Sequence, residues 1–392
     1  MTKKNHFDVL IIGTGPAGSV CAYEIKKTCP DLAVLLIDKE KIPRYKVCGG
    51  GVQIKSAKIL PFDIESVIED VIFGIIFSYK CKKWFMRTYD EPLIYNVMRD
   101  RFDAFLTQKA QEIGALLLDG CTVKKIEIEK GKVLVKTDKS FFSGDILIGA
   151  DGAGGITAKS LGLMQNTSFS IAIESEVNVA AEVLKKYKGF ITIDCGTLKS
   201  GYAWIFPKSD HLSIGAGTSK EYAVFLKEYY KQYLRYQNIG FYNTVSFKGF
   251  LLPHRQSGSD IQTQNVLLVG DAAGLVDAFT GEGIYYAIRS AQLAASSVIK
   301  KLKGHKNDLK DYQNAVDQEL MPELISAQQL LKLFNLAPRV TLKLLQSSDS
   351  FWQAICKILR GEKTYKSYID AHLHLFQFFI KLTNVVPKWL RF

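Results

Sequence analysis

The sequence predicts an α/β protein with an α+β insertion: a mostly parallel sheet, an antiparallel sheet set into it, and a helical C-terminal region. Three observations lead there. Apolar runs at residues 7–12, 145–149 and 266–269 each lead directly into a glycine-containing turn, as buried parallel strands do. Strand-like segments crowd together at 170–179, 189–197, 202–207 and 212–217, with no room for crossover helices between them. Beyond about residue 306 the pattern turns helical and basic.

Taken in order, residues 7–12 form a strand, 16–27 a helix and 32–37 a second strand, a β-α-β unit of ordinary length. Residues 99–113 repeat Phe102, Phe105, Leu106 and Ala110 on one helical face. Residues 123–128 and 132–137 flank Lys130-Gly131 and predict a hairpin. Residues 222–235 read as a basic, aromatic helix, and a long helix follows from about 283 to 302. The resulting division is a discontinuous nucleotide-binding unit (1–70, 99–165, 256–305), an antiparallel-sheet unit (71–98, 166–255) and a helical region (306–392).

Composition bounds the function. The 392 residues are 47% hydrophobic and 23% charged, which excludes a disordered chain, a collagen-like fibre and a disulfide miniprotein. Seven cysteines, with no C-x-x-C pair and no Cys/His cluster, argue against zinc and iron–sulfur sites and for a reduced, cytoplasmic setting. The start, MTKKNHFDVLIIG, is interrupted by Asp8 and runs into a glycine turn, so it is not read as a signal segment. No run of about 18 apolar residues predicts a transmembrane helix. The net charge of +12 points to an anionic partner. Residues 331–392 hold seven lysines, three arginines and three acids, a net +7 in an apolar-rich stretch without a recognition motif, so nucleic acid is not expected.

The first motif is strand, G-x-G-x-x-G, helix, strand, acid, which defines a Rossmann-like dinucleotide unit. Gly13 permits the tight turn, Gly15 brings backbone close to a pyrophosphate, and Gly18 lets the helix pack on the sheet. Asp38, twenty positions after Gly18, stands where a carboxylate takes ribose hydroxyls. Two further strands end in carboxylates, at Ala150-Asp151-Gly152 and at Gly270-Asp271-Ala272-Ala273-Gly274. A second acid far along the chain suits the ribityl hydroxyls of FAD rather than NAD. Either site alone is also readable as a turn with an N-cap aspartate.

The set GTGPAG at 13–18, R-x-x-F-D at 99–103, GADGA at 149–153 and GDAAG at 270–274 resembles the FAD-dependent enzymes of the p-hydroxybenzoate hydroxylase fold. Within that group the chain is similar to the geranylgeranyl reductase family, by K-x-C-G-G at 46–50, Y-x-W-x-F-P at 202–207 and T-G-E-G-I at 280–284. The resemblance covers about residues 7–300; beyond it, only GEKTY at 361–365 is weakly reminiscent. It implies an FAD-dependent oxidoreductase that saturates C=C bonds of an isoprenoid or other apolar lipid. Reduced flavin would deliver hydride to one carbon while a proton reaches the other. It implies that Arg99 contacts the ribityl or pyrophosphate portion, that Asp271 holds the ribityl chain, and that the 281–283 backbone stabilises negative charge on the reduced ring. The cofactor-binding set expected is Gly13, Gly15, Pro16, Ala17, Gly18, Asp38, Lys39, Cys48, Gly49, Gly50, Arg99, Val123, Asp151, Gly270, Asp271, Gly281, Gly283 and Ile284.

Cys48, ahead of three glycines, is the expected catalytic residue, as proton donor or flavin modulator; a small packed residue is the alternative. Tyr202, Trp204 and Phe206 alternate on one strand face and are the expected substrate wall, with sheet core as the alternative. Flavin halogenases carry W-x-W-x-I-P, and Tyr202 and Phe206 depart from it, so a monooxygenase or halogenase acting on an aromatic substrate is the second reading. No second Rossmann unit exists, so the reductant is NAD(P)H visiting transiently or a protein electron donor. None of the six histidines shows a catalytic pairing in sequence. In the tail, Leu375, Phe378, Phe379 and Leu382 form an apolar helical face, followed by Pro387, Lys388, Trp389 and Arg391. Two readings stand for it: a helix closing the core, or peripheral contact with the inner face of the membrane.

Overall fold

The computed structural model describes residues 5–239, 244–306 and 308–372. Its first sheet runs Leu116–Leu118, Val34–Ile37, His6–Ile12, Phe141–Gly149, Lys132–Thr137, Val123–Glu129, with Val266–Leu268 also joined to Phe141–Gly149. The strand Phe141–Gly149 uses one edge twice. Its first half pairs antiparallel with Lys132–Thr137 and its last three residues pair parallel with Val266–Leu268. Val9, Leu10 and Ile11 are buried in sequence because both faces are covered. Helices Pro16–Thr28, Arg99–Glu112 and Ile284–Leu302 pack on one face, and the hairpin Val123–Glu129/Lys132–Thr137 on the other. That hairpin turns at Lys130 (φ 48°) and Gly131 (φ 75°), the left-handed pair that matches strand twist.

The second sheet is ordered Thr244–Arg255, Thr167–Val177, Leu212–Ser219, Tyr202–Pro207, Phe190–Cys195, Gly74–Tyr79, Lys82–Thr88. It is antiparallel except where Phe190–Cys195 meets Gly74–Tyr79. Helix Leu226–Tyr236, preceded by a 3₁₀ turn at Lys220–Phe225, buries Tyr229, Tyr230 and Tyr233 against Ala203, Ile205 and Ile214. A small third sheet joins Gly51–Gln53, Ile94–Val97 and Ile68–Ile72. No strand is legible in sequence between residues 39 and 98, where the structure has five. Four of the five are at most six residues long, and their partners include stretches up to about a hundred residues away, so local periodicity carries little signal.

Beyond residue 309 the described chain is helical: Lys310–Glu319, Met321–Leu336, Pro338–Ser347, Asp349–Leu359 and Tyr365–Ala371. Leu342, Leu345, Trp352, Cys356 and Leu359 pack with Ile72, Ile75, Phe77 and Ile191 at the far edge of the second sheet. The tail face at Leu375, Phe378, Phe379 and Leu382 lies outside the described residues. Among the described residues no helix is long and apolar enough to cross a membrane, and no His/Cys/Asp/Glu group is arranged to hold a metal.

Candidate functional site

Four adjacent parallel strands end side by side, and each end carries part of one cleft. Val34–Ile37 leads to Asp38, His6–Ile12 to Gly13, Phe141–Gly149 to Asp151, and Val266–Leu268 to Asp271. This is the carboxyl edge where open α/β sheets bind ligands. Gly13 has φ +101°, and a Cβ there would sit 2.3 Å from the Ala150 carbonyl oxygen. A Cβ on Gly18 would come within 1.9 Å of the Gly13 oxygen, so helix Pro16–Thr28 closes on the turn only because both are glycine. Among the described residues Gly15 has only the Arg44 guanidinium nearby, 3.7 Å from where its Cβ would be, so its backbone is open to the cleft. The cleft has a volume of ≈ 680 Å³.

Asp38 is buried and accepts from the Thr14 N–H (2.9 Å) and hydroxyl (2.7 Å), the Glu40 N–H (3.0 Å) and Arg44 Nε (3.3 Å). Burial pushes its carboxyl up, but the Thr14 hydroxyl, Arg44 and the two N–H groups together hold it below the usual carboxylate range. Arg44 also reaches Asp103 at 3.2 Å, and Asp103 takes a bidentate pair from Arg99 at 2.8 and 3.0 Å. Burial works against the Arg99 charge, but Asp103 and the Cys48 sulfur, with which it hydrogen-bonds, raise it further. Asp151 caps Thr157 through one oxygen (2.8 and 2.9 Å), while the other, Oδ1, is buried without a partner among the described residues. A buried orphan acceptor lining a cleft marks a place for a hydroxyl or N–H donor. Helix Ile284–Leu302 begins at the cleft with Gly281, Gly283 and Ile284 in its wall, so its positive end faces the cleft.

These residues fit FAD. They supply a glycine turn with an open helix N-terminus and Arg44 for a pyrophosphate, Asp38 for a ribose, and Asp151 and Asp271 further along for a hydroxylated chain. Gly13, Gly15, Pro16, Ala17, Asp38, Lys39, Cys48, Arg99, Val123, Asp151, Asp271, Gly281, Gly283 and Ile284 all line the cleft. Gly18 and Gly270 stand behind it as packing glycines, with a Cβ on Gly270 3.1 Å from Ala17.

Gly49 and Gly50 also stand back from the cleft, toward the second sheet. A Cβ on Gly49 would lie 3.1 Å from the Phe206 ring, and one on Gly51 2.6 Å from it. Trp204 lies over Gly215, and the Tyr202 hydroxyl donates to the Thr280 carbonyl beside Gly281. The aromatic face of Tyr202–Pro207 therefore meets the turn 48–51 and the loop 277–283, while Ala203 and Ile205 face the tyrosine helix behind. What lies under this contact is not legible in the sequence. Glu174, fully buried, accepts from the Cys48 N–H (2.9 Å) and Trp204 Nε1 (3.2 Å). Lys208 donates to the Gly49 (2.6 Å) and Val97 (3.0 Å) carbonyls. Glu176 accepts from Tyr45, His211 and Ser213, so His211 does have an acidic partner. The available signal was two acids, Glu174 and Glu176, on one face of a strand that carries no other charge. Arg44 was legible only as one charge of a basic stretch.

The fold and the cleft define an FAD-binding flavoprotein, and residues 87–316 match the family model of the FAD binding domain. The chain is 33% identical to an uncharacterized protein of Methanosarcina barkeri over 85% of both chains. It is 32% identical to digeranylgeranylglycerophospholipid reductase 3 of Methanosphaera stadtmanae, over 80% of this chain and 83% of that one. Among solved structures, a geranylgeranyl bacteriochlorophyll reductase-like protein of Thermoplasma acidophilum superposes with a TM-score of 0.73 at 21% identity, covering 95% of this chain and 96% of that one. The flavin-dependent brominase Bmp2 gives 0.75 at 20% identity, covering 97% and 99%, a likeness of fold alone. The chain belongs to the geranylgeranyl reductase family of FAD-dependent oxidoreductases.

Proposed function

We propose that this protein reduces carbon–carbon double bonds in a prenyl chain carried on a diphosphate or a lipid head group. The observation that supports this best is the aromatic face of Tyr202, Trp204 and Phe206 abutting the turn that holds Cys48 at the cleft wall. Tyr202, Trp204 and Phe206 do not line the cleft itself, so an apolar chain would pass the edge of that face to reach the cofactor beside Cys48. FAD, when bound and reduced in this cleft, would supply the hydride for one alkene carbon. Cys48 holds the proton for the other carbon, with Arg99 and the Gly50 N–H (3.4 Å) steadying its sulfur. Asp38 would hold the ribose, Arg44 the pyrophosphate, Asp151 and Asp271 the ribityl chain, and the start of helix Ile284–Leu302 would stabilise negative charge on the ring. The reductant is NAD(P)H arriving transiently or a protein donor. The basic, aromatic tail contacts the inner membrane face, where such a substrate resides; deleting residues after 370 tests this by loss of liposome binding with FAD content intact.

The deciding experiment mixes dithionite-reduced, FAD-loaded protein anaerobically with geranylgeranyl diphosphate or an unsaturated archaeal-type ether phospholipid. Return of oxidised flavin absorbance with product two hydrogens heavier per double bond supports the reading. Product formed only with oxygen, carrying a hydroxyl or a halogen, sinks it.

A further inference from the structure

The turn 48–51 carries the Cys48 thiol, and its three glycines offer no side chains to anchor it. Its position is set by backbone hydrogen bonds, and the second sheet supplies the acceptor and donor. Glu174 pairs across the sheet with Gly215, and Gly215 pairs with Trp204, so the three share one rung. A Cβ on Gly215 would lie 2.2 Å from the indole; its absence lets the Glu174 carboxylate reach across the rung to Trp204 Nε1. The other carboxylate oxygen takes the Cys48 N–H. Lys208, four residues after Trp204, grips the adjacent Gly49 carbonyl.

We propose that Glu174 is a positioning residue, tying the Cys48 turn and the Trp204 wall into one unit so that thiol, cofactor and substrate chain keep a common geometry. This rests on the alkene-reductase reading for its consequence in turnover, but not for its structural content. A buried ionisable group is costly and weak evidence for stability. Both oxygens of Glu174 are spent on two different elements, and an ionised carboxylate is the group that accepts at both. Burial and then Glu176 push Glu174 up to about 8, opposed by Lys208, Trp204 and the Cys48 N–H. The other groups around it are Tyr230 on the helix behind and Lys248 on the neighbouring strand, whose ammonium lies over the Tyr45 ring. Above that pH both N–H groups have an acceptor; below it one oxygen carries a proton and the clamp loosens.

The test uses the full, FAD-loaded chain and follows iodoacetamide labelling of Cys48 by peptide mass spectrometry against pH, which needs no substrate. Wild type should label more slowly, relative to its thiolate fraction, above a step near pH 8. E174Q should keep its FAD, label about tenfold faster at pH 9 for one lost charge-assisted hydrogen bond, and lose the step. With geranylgeranyl diphosphate, its kcat should fall about 10- to 100-fold while KM moves less than about threefold. W204F, which removes the indole N–H together with part of the ring, should also speed labelling, and the double variant should label no faster than the faster single one. Labelling rate and pH profile unchanged in E174Q, or in W204F should E174Q fail to fold, overturns the clamp. Altered labelling in a protein that never reduces a prenyl substrate leaves the clamp standing and rejects the reductase reading instead.

Discussion

A thiol, a guanidinium and a carboxylate meet at Cys48, Arg99 and Asp103, and the chemistry proposed for the site depends on that meeting. Cys48→Ser should retain FAD but slow product formation about 100-fold or more, the scale of a lost general acid, while flavin reduction changes little. Stopped-flow traces of the two half-reactions separate them; equal slowing of both returns Cys48 to a packing role. His211 offers a pH test. Burial pushes it down, but its bonds to Glu176 and Asp210 raise it above its ordinary value. A raised histidine contributes stability that is fully present below the unfolded value of about 6.5 and is lost as pH rises through the folded one. His211→Gln should therefore lower urea stability at pH 6 by about 1–2 kcal/mol and change it little at pH 9. The Asp38 acid and the glycine turn were legible in sequence because their chemistry follows from fixed spacing. Arg44, Glu174 and Lys208 were not, because their partners lie on other elements: Arg44 with Asp103, Glu174 with Cys48 and Trp204, Lys208 with Val97.

Helix Pro16–Thr28 sits on its sheet through a contact no other residue permits. Gly18→Val would place two methyl groups against the Gly13 carbonyl, where even a Cβ is 1.9 Å away. The helix must lift, and its N-terminus must leave the pyrophosphate position. The expected product is folded or partly folded protein without flavin, read as loss of visible absorbance with a lowered thermal midpoint; normal FAD content in this variant contradicts the assignment of the turn. The long helix Ile284–Leu302 was placed from periodicity to within a residue or two at each end, since nineteen residues average out local exceptions. The strands between 51 and 97 escaped for the opposite reason. They are short and gain their pairing from neighbours distant in sequence.

At the scale of the whole molecule, the helices after residue 309 brace the second sheet. Trp352 is fully buried, donates to the Thr88 carbonyl at 2.6 Å and meets Phe77 edge-on at 6.4 Å. Arg360 ties the same region to Pro92. Tyr365, from GEKTY, is buried beside Lys55, whose ammonium also lies over Tyr285 and Tyr286 at the start of the cleft helix. Trp352→Ala should cost about 3–5 kcal/mol, the usual loss for a buried large aromatic. A single shifted urea transition, followed by both far-UV signal and flavin release, is expected if sheet, helices and cleft unfold together; two separated transitions would show that the helical region folds independently.

The sequence by itself determined the nucleotide-binding half, the presence of FAD chemistry and the strand that carries Tyr202, Trp204 and Phe206. Those features live in short spacings: glycines where a Cβ cannot fit, acids at strand ends, and alternation that sends side chains to one face. Only the tertiary structure decided how the two sheets meet. The hold of the Glu174–Gly215–Trp204 rung on the Cys48 N–H and the Lys208 grip on Gly49 join residues more than a hundred positions apart. No local pattern encodes such contacts, because they are set by strand register across a sheet and by which face of that sheet the cofactor domain covers.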